Sequence, residues 1–413
     1  MKKIIILFTV LIVFTVFAVI VISTPSDILY LLNWGEYIDI DDEENYKSVV
    51  TKFEEKYNCQ VVLETATSSE AMYQKITAGT TAYDVVIPGD YAVKQLYQEG
   101  YLRELDIENK EYENLNNYET LFSDSLTQII DSKFTNGNAE MKKYFMPYLW
   151  GAYTIIYNES KENVVNAVKN DGFKALFEKS NIGSNVKVGM YDTSRWAVSA
   201  YLMGEGLNPN ITDKNNSTNG DISTSLKNEI INAIYNAHFD QWDNDNLKRN
   251  VATGELDMAF VQLGDFFDSL YLLYNDEGAS KEDIKINAYI PSNTAAFFDS
   301  MVIPTTTEHY DLANKFINFM LDPDNAYQNA CAIGYSPCLK SVVNKYEEAA
   351  KNGAYYYGEG DSGLSYSEFL EKYPFYLNPL CNVTNISDVY LLEPKSSTYL
   401  TTCETIVNSA KTK

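Results

Sequence analysis

Four short stretches set aromatic rings beside carboxylates or hydroxyls: Asn33-Trp34-Gly35-Glu36-Tyr37, Pro88-Gly89-Asp90-Tyr91, Phe297-Phe298-Asp299-Ser300 and Gly334-Tyr335-Ser336-Pro337. An aromatic face attracts a cation through its quadrupole, and a buried carboxylate holds one by charge-assisted hydrogen bonds. Together they suit a small organic cation. Taken singly, each aromatic is more often core than ligand; their grouping at strand ends is what points to a site. Other chemistries are poorly provided for. The two histidines, His238 and His309, have no Cys or His at ligand spacing, which disfavours zinc and Ser-His-Asp catalysis. The five cysteines form no C-x-x-C pair, and the odd number leaves at least one unpaired; buried apolar thiols are the preferred reading. No G-x-G-x-x-G follows an expected strand, and there is no G-x-x-x-x-G-K-[ST] and no G-x-S-x-G elbow. Asp41-Asp42-Glu43-Glu44 reads as a solvated helix entry. No catalytic residue, metal or cofactor is implied.

The elements that must position these stretches alternate. Ile28 to Leu32 is a short apolar run fit for a buried strand. Tyr46, Val49, Val50, Phe53 and Tyr57 follow at helical spacing, and Gln60 to Glu64 reads as a second strand. Thr67-Ser68-Ser69-Glu70 is a capping-box pattern opening a helix through about Ala78. Tyr83 to Ile87 is a third strand, ended by Pro88-Gly89, and a helix runs from about Asp90 to Gly100. The same rhythm resumes near Gly183, with strands at Val186–Met190, Met258–Val261 and Ile284–Ile290. Helices are expected at Ser194–Met203, Thr224–Ala237 and Asp311–Leu321, the last with Asp311 as N-cap. A strand pair, Tyr144–Leu149 and Tyr153–Tyr157, lies between the halves. Asn208–Asp221 and Tyr355–Ser367 read as loops. This is an α/β protein.

The chain has 413 residues, enough for about two domains. Asp plus Glu number 57 against 32 Lys plus Arg, a net charge of −25. That argues against nucleic acid as a partner, because phosphates need a basic face. Lys2 and Lys3 precede a 19-residue apolar run, Ile4 to Ile22, broken only by Thr9 and Thr15. The run approaches bilayer-spanning length and exceeds the apolar region of an ordinary signal peptide. A retained anchor is therefore preferred to a cleaved signal helix, Val21-Ile22-Ser23 being a poor cleavage site. No Cys follows for lipid attachment. Either way the body is exported, to the extracytoplasmic face of the cell membrane.

At the aromatic stretches the chain resembles the extracytoplasmic spermidine/putrescine-binding proteins of ABC transporters. The likeness runs from about Ile28 to about Val343. Its anchors are Leu29-Tyr30 through Tyr37, Tyr83-Asp84-Val85-Val86-Ile87-Pro88, Pro147-Tyr148-Leu149-Trp150-Gly151-Ala152, Asp299-Ser300-Met301-Val302-Ile303-Pro304 and Ile333-Gly334-Tyr335, in the family's order. The resemblance implies a two-lobe type 2 periplasmic-binding-protein fold with a hinge between lobes, preceded by one N-terminal transmembrane or signal helix. Residues 1–26 would be that anchor or signal segment. Lobe 1 would be 27–153 plus 299–342, and lobe 2 would be 154–298 plus 343–413, with crossings near Thr154 and Phe298.

The resemblance also implies a ligand site. Trp34, Tyr37, Tyr91, Asp299 and Tyr335 match the family's polyamine-contacting residues in type. Phe297 stands where the family has tryptophan, and Gly35 where it has a hydroxyl residue. Two acids that the family brings in the Asp192-Thr193-Ser194-Arg195-Trp196 loop become Thr193 and Trp196, and a further tryptophan becomes Gln262. Glu36, Asp90 or Asp192 could compensate for the missing acids. The expected role is the substrate-binding subunit of an ABC importer, carrying a polyamine to permease and ATPase subunits. The alternatives are a binding protein for another amine or organic cation and, in a different class, an extracytoplasmic hydrolase.

Overall fold

The computed structural model describes residues 27–413 other than 277 and 359. The anchor or signal helix expected over residues 4–22 lies outside the described residues. Among those described, no helix is long and apolar enough to cross a membrane.

Strand β1 (Asp27–Asn33) pairs in parallel with β2 (Cys59–Thr65) on one side and β3 (Val85–Val86) on the other. Leu29, Leu31 and Leu32 are fully buried, as a parallel strand covered on both faces requires. Helix α1 (Val49–Tyr57) starts later than the spacing of aromatics predicts. Ser48 takes the N-cap, accepting from the Thr51 amide, while Tyr46 stays outside and donates its hydroxyl to Asp39. Helix α2 (Ser69–Ala78) is capped by Ser68, not Thr67, because Ser68 holds the extended backbone and accepts from the Ala71 amide. Asp42 in the acidic run accepts from the Ser48 amide and the Thr51 hydroxyl, which lowers its pKa, so this run organises the entry to α1. Helix α3 (Asp90–Gln98) opens directly after β3, with Gly89 as its N-cap. Asp84, just before β3, accepts from the Tyr30 amide and the Thr307 hydroxyl, so this anchor of the motif is structural.

The second sheet is centred on β4 (Met146–Asn158), thirteen residues long. It corrects the expected strand pair: Gly151 does not interrupt the strand. The other strands are β5 (Val188–Tyr191), β6 (Gln241–Asp243), β7 (Met258–Gln262), β8 (Ile286–Tyr289), β9 (Ala296–Met301) and β10 (Ser336–Pro337). They run in the order β9-β4-β7-β5-β6, with β8 and β10 also bonded to β4. The ring of Phe297 on β9 lies across Gly151, where a Cβ would stand 2.7 Å from the ring. Glycine serves a close approach here rather than a turn.

Helices α4 (Ser194–Gly204), α5 (Thr224–Ala237) and α6 (Leu263–Tyr271) accompany this sheet; α7 (Tyr310–Met320) and α8 (Pro323–Ile333) follow β9. Asp311 is not the N-cap of α7. His309 holds that place, and Asp311 inside the helix accepts from the Tyr112 hydroxyl. The expected loop at Tyr355–Ser367 contains a short hairpin, Tyr355–Tyr357 with Leu364–Ser365. Helix α9 (Ser397–Thr412) ends the chain against α4 and α5.

Buried apolar side chains form two clusters. On β4, Trp150 and Ala152 belong to the first and Tyr153, Ile155 and Tyr157 to the second, while Ile156, on the opposite face, returns to the first. Phe266, Phe267, Tyr346, Phe369 and Tyr376 pack into the first cluster, and α9 into the second. All five cysteines are free thiols. Cys59, Cys338 and Cys403 are buried; Cys331 and Cys381 are exposed, against the expectation of buried thiols throughout.

Candidate functional site

The carboxyl ends of β1, β3 and β7, with the starts of α3 and α4 and the middle of β9, surround about 340 Å³ of empty space, partly open to solvent. Seven of the twelve expected site residues line it: Trp34, Asp90, Tyr91, Trp196, Gln262, Phe297 and Asp299. Ligands of open α/β sheets sit at such strand ends. Another void of similar size, under Met301, Met320 and Cys338, has no charged residue in its wall.

Asp299 is buried, and its Oδ2 accepts from the Tyr37 hydroxyl at 2.7 Å. Burial pushes its pKa up to about 7, opposed by that hydrogen bond. Tyr37 is itself buried and does not line the cavity; its phenol is held well above the usual range by desolvation and by Asp299. Its link to the cavity is the hydrogen bond to Asp299. Tyr335 stands edge-on to Tyr37, ring centres 5.0 Å apart, and its hydroxyl donates to Gln262 Oε1 at 3.4 Å. Its ring rests on Gly264, where any Cβ would collide at 1.9 Å. Tyr335 is thus a support behind Gln262 rather than a wall. Gly334, left-handed at φ 78°, ends α8 and turns the chain toward it.

Asp90 is the first residue of α3 and is 2% exposed. Its Oδ1 accepts from the Tyr91 amide at 2.7 Å, and its Oδ2 is buried with no protein partner. Burial pushes its pKa up to about 8. The Tyr91 amide opposes the shift, the Asp299 charge adds to it, and Arg195 and Lys94 oppose it. The two acids share one end of the cavity. Gly89, adjacent to Asp90, pairs by a backbone bridge with Asp299, and a Cβ on Gly89 would lie 3.5 Å from Asp299 Oδ1. The indole Nε1 of Trp34 is also buried without a protein partner.

The remaining residues that line the cavity are uncharged. Trp196 packs edge-on against Tyr153, ring centres 5.4 Å apart, and Phe297 lies tilted on the same ring. Gln262 is the N-cap of α6, its amide donating to Asp265. Burial pushes Asp265 up to about 7, opposed by Lys248, and Lys248 pairs with Asp268 at 2.7 Å. Those acids therefore already have a cation.

Several expected site residues fall elsewhere. Thr193 is the N-cap of α4, its carbonyl accepting from the Trp196 and Ala197 amides, and it does not reach the cavity. Gly35 and Glu36 are exposed on the turn after β1, with Glu36 left-handed at φ 53°. Asp192 pairs with Lys411 at 2.6 Å. Of the three acids offered as compensation, only Asp90 reaches the cavity. Sequence reading missed Arg195, 5% exposed, whose guanidinium covers the Tyr91 ring at 4.6 Å and donates to the Glu393 carbonyl. A lone arginine opening the apolar run Trp196-Ala197-Val198 was the available signal. Ser69, Tyr153 and Leu392 also line the cavity and carried none.

Residues 48–355 match the bacterial extracellular solute-binding proteins. The chain belongs to this family. Among relatives of this solute-binding protein is the putrescine/cadaverine-binding protein of Pseudomonas aeruginosa, 27% identical over 76% of this chain and 79% of its own. The spermidine/putrescine-binding periplasmic protein of Escherichia coli is 26% identical over 85% of this chain and 92% of its own. Among solved structures, the spermidine/putrescine ABC transporter substrate-binding protein of Streptococcus pneumoniae superposes with a TM-score of 0.64 at 24% identity, covering 94% and 99% of the two chains. The two-lobe binding-protein fold that the resemblance implies is therefore the fold of this chain, and its family is one of solute binding.

Proposed function

We propose that this chain captures a small polyamine-type cation on the extracytoplasmic face of the membrane and delivers it to the permease and ATPase of an ABC importer. One observation carries the reading: two buried carboxylates, Asp90 and Asp299, open on a cavity walled by Trp34, Tyr91, Trp196 and Phe297. A buried, unpaired carboxylate is costly, and an ammonium is the partner it lacks. The alkyl chain of an amine would lie along the rings. The names of the relatives agree with that ligand class. Lobes of 27–153 plus 299–342 and 154–298 plus 343–413 would close by bending where β4 and β9 cross, presenting a closed form to the permease. Residues 4–22 would stay as the anchor; a native N-terminus near Thr24 on sequencing would end that part of the reading.

The neutral wall favours a second reading, a different organic cation. Calorimetric titration of the full-length protein in mild detergent separates the two. Putrescine, cadaverine and spermidine should bind saturably, and 1,4-butanediol should not. Preference for choline over all three would establish the second reading. Binding of no amine would end both.

A further inference from the structure

Asp90 combines three properties that a structural acid does not need. It is buried, it lines the cavity, and one carboxylate oxygen has no partner. Its other oxygen satisfies only the amide of the next residue, Tyr91. It lies beside Asp299, because the Gly89–Asp299 bridge brings the start of α3 against β9. Among the residues lining the cavity, Asp90 and Asp299 are the two acids, and both stand at this end.

We propose that Asp90 and Asp299 form one receiver that takes a single cationic head of the ligand, while the far end of the ligand meets only neutral groups. This rests on the amine-binding reading and adds what that reading leaves open: which acid stands in for the absent pair, and how many ammonium groups the site grips. An ammonium has three donors, enough for the free oxygen of Asp90 and for Asp299, whose Oδ2 already holds Tyr37. The far end has Gln262, with its Oε1 turned to Tyr335, together with Trp196 and Leu392.

The receiver also couples binding to protons. The titratable and charged groups around Asp90 are Asp299 on β9, Arg195 on α4, Lys94 on its own helix, and the phenols of Tyr91 and Tyr153, with Glu70 on α2 bonded to the Tyr91 hydroxyl. Arg195 lies on the Tyr91 ring and donates to the Glu393 carbonyl, and its charge offsets part of the rise that burial imposes on Asp90 without cancelling it. In the empty site at neutral pH the pair retains protons. A cation seated between the two acids expels them, so affinity rises with pH between about 6 and 8.

The test compares putrescine with butylamine, which has one head, on the full-length wild type and on Asp90→Asn. Both amines should lose a similar factor, about tenfold to a hundredfold, because one head loses one of its two carboxylates. Loss for putrescine with none for butylamine would overturn the single receiver and assign Asp90 to a second head. No loss for either would remove Asp90 from the site. A measurement on wild type alone stands beside the variant. Titration at pH 7 in buffers of different ionisation heat should show release of about one proton per amine bound. Binding without proton release would also overturn the proposal. Failure of both amines to bind wild type would instead remove the amine reading on which it rests.

Discussion

The wall of the cavity built by β1, α3 and β9 carries both of its carboxylates, and the wall built by α4 and β7 carries none. The acidic wall is assembled from short turns at strand ends, where a carboxylate can be buried beside a helix start. The neutral wall is assembled from side chains already used for packing: Trp196 on Tyr153, and Gln262 capping α6 beneath Tyr335. The acids near that second wall, Asp268 and Asp192, are paired with Lys248 and Lys411. One wall can therefore pair with a charge, and the other offers only aromatic faces and the neutral amide of Gln262.

The largest expected effect falls on the acidic wall. Asp299→Asn keeps the shape, including an acceptor for the Tyr37 hydroxyl, and removes the charge. Truncating one partner of a buried charge pair costs about 2–5 kcal/mol, so amine affinity should fall roughly 30-fold to several thousand-fold. Equal dissociation constants with a lowered melting temperature would make Asp299 a structural residue of β9.

Trp34→Ala tests the aromatic face of the same wall. A desolvated cation–π contact contributes about 0.5–2 kcal/mol, so binding should weaken by roughly twofold to thirtyfold while the circular dichroism of the free protein is unchanged. An unaltered affinity would assign Trp34 to packing alone.

Gln262→Glu sharpens the comparison by giving the neutral wall a charge. The carboxylate can still accept from Tyr335, so the local structure should hold. Selectivity for putrescine over butylamine should rise by about tenfold, equivalent to ~1.4 kcal/mol. A uniform gain for both amines would mean that the two walls address the same head.

The smallest effect is on the stability of the empty protein. Burial holds Asp90 near about 8 and Asp299 near about 7, so the folded state keeps protons that the unfolded chain releases in the ordinary carboxylate range. The folded state binds more protons across that window, and stability falls as pH rises from about 4 to 8. The melting temperature should be a few degrees lower at pH 8.5 than at pH 5.5, and Asp90→Asn with Asp299→Asn should reduce the difference. A melting temperature that climbed with pH would contradict the burial of these acids.

Much of the scaffold is legible in the order of the residues. The α5 helix runs over Thr224–Ala237 as its periodicity indicates, and β1, β2 and α4 lie within a residue or two of expectation. These features follow from short-range sterics and from the period at which apolar side chains repeat. Where neighbours far along the chain decide the outcome, the reading failed. Gly151 looks like a break until Phe297, more than a hundred residues on, lies across it. Thr193 looks like a ligand position until its carbonyl is seen starting α4.

The site divides in the same way. Residue types and order alone pointed to aromatic and acidic groups gathered at strand ends, a pattern suited to a cation. Trp34, Tyr91, Phe297 and Asp299 were identifiable on those grounds. Only the tertiary structure decided which of Glu36, Asp90 and Asp192 serves the cavity. All three are acids in loops or at helix starts. Glu36 is exposed, Asp192 finds Lys411 some two hundred residues away, and Asp90 is buried beside Asp299 with an oxygen unpaired. Tyr37 likewise meets Asp299 across 262 positions. A carboxylate's burial and its partner are set by what the fold brings against it, and neither is a property of the segment that carries it.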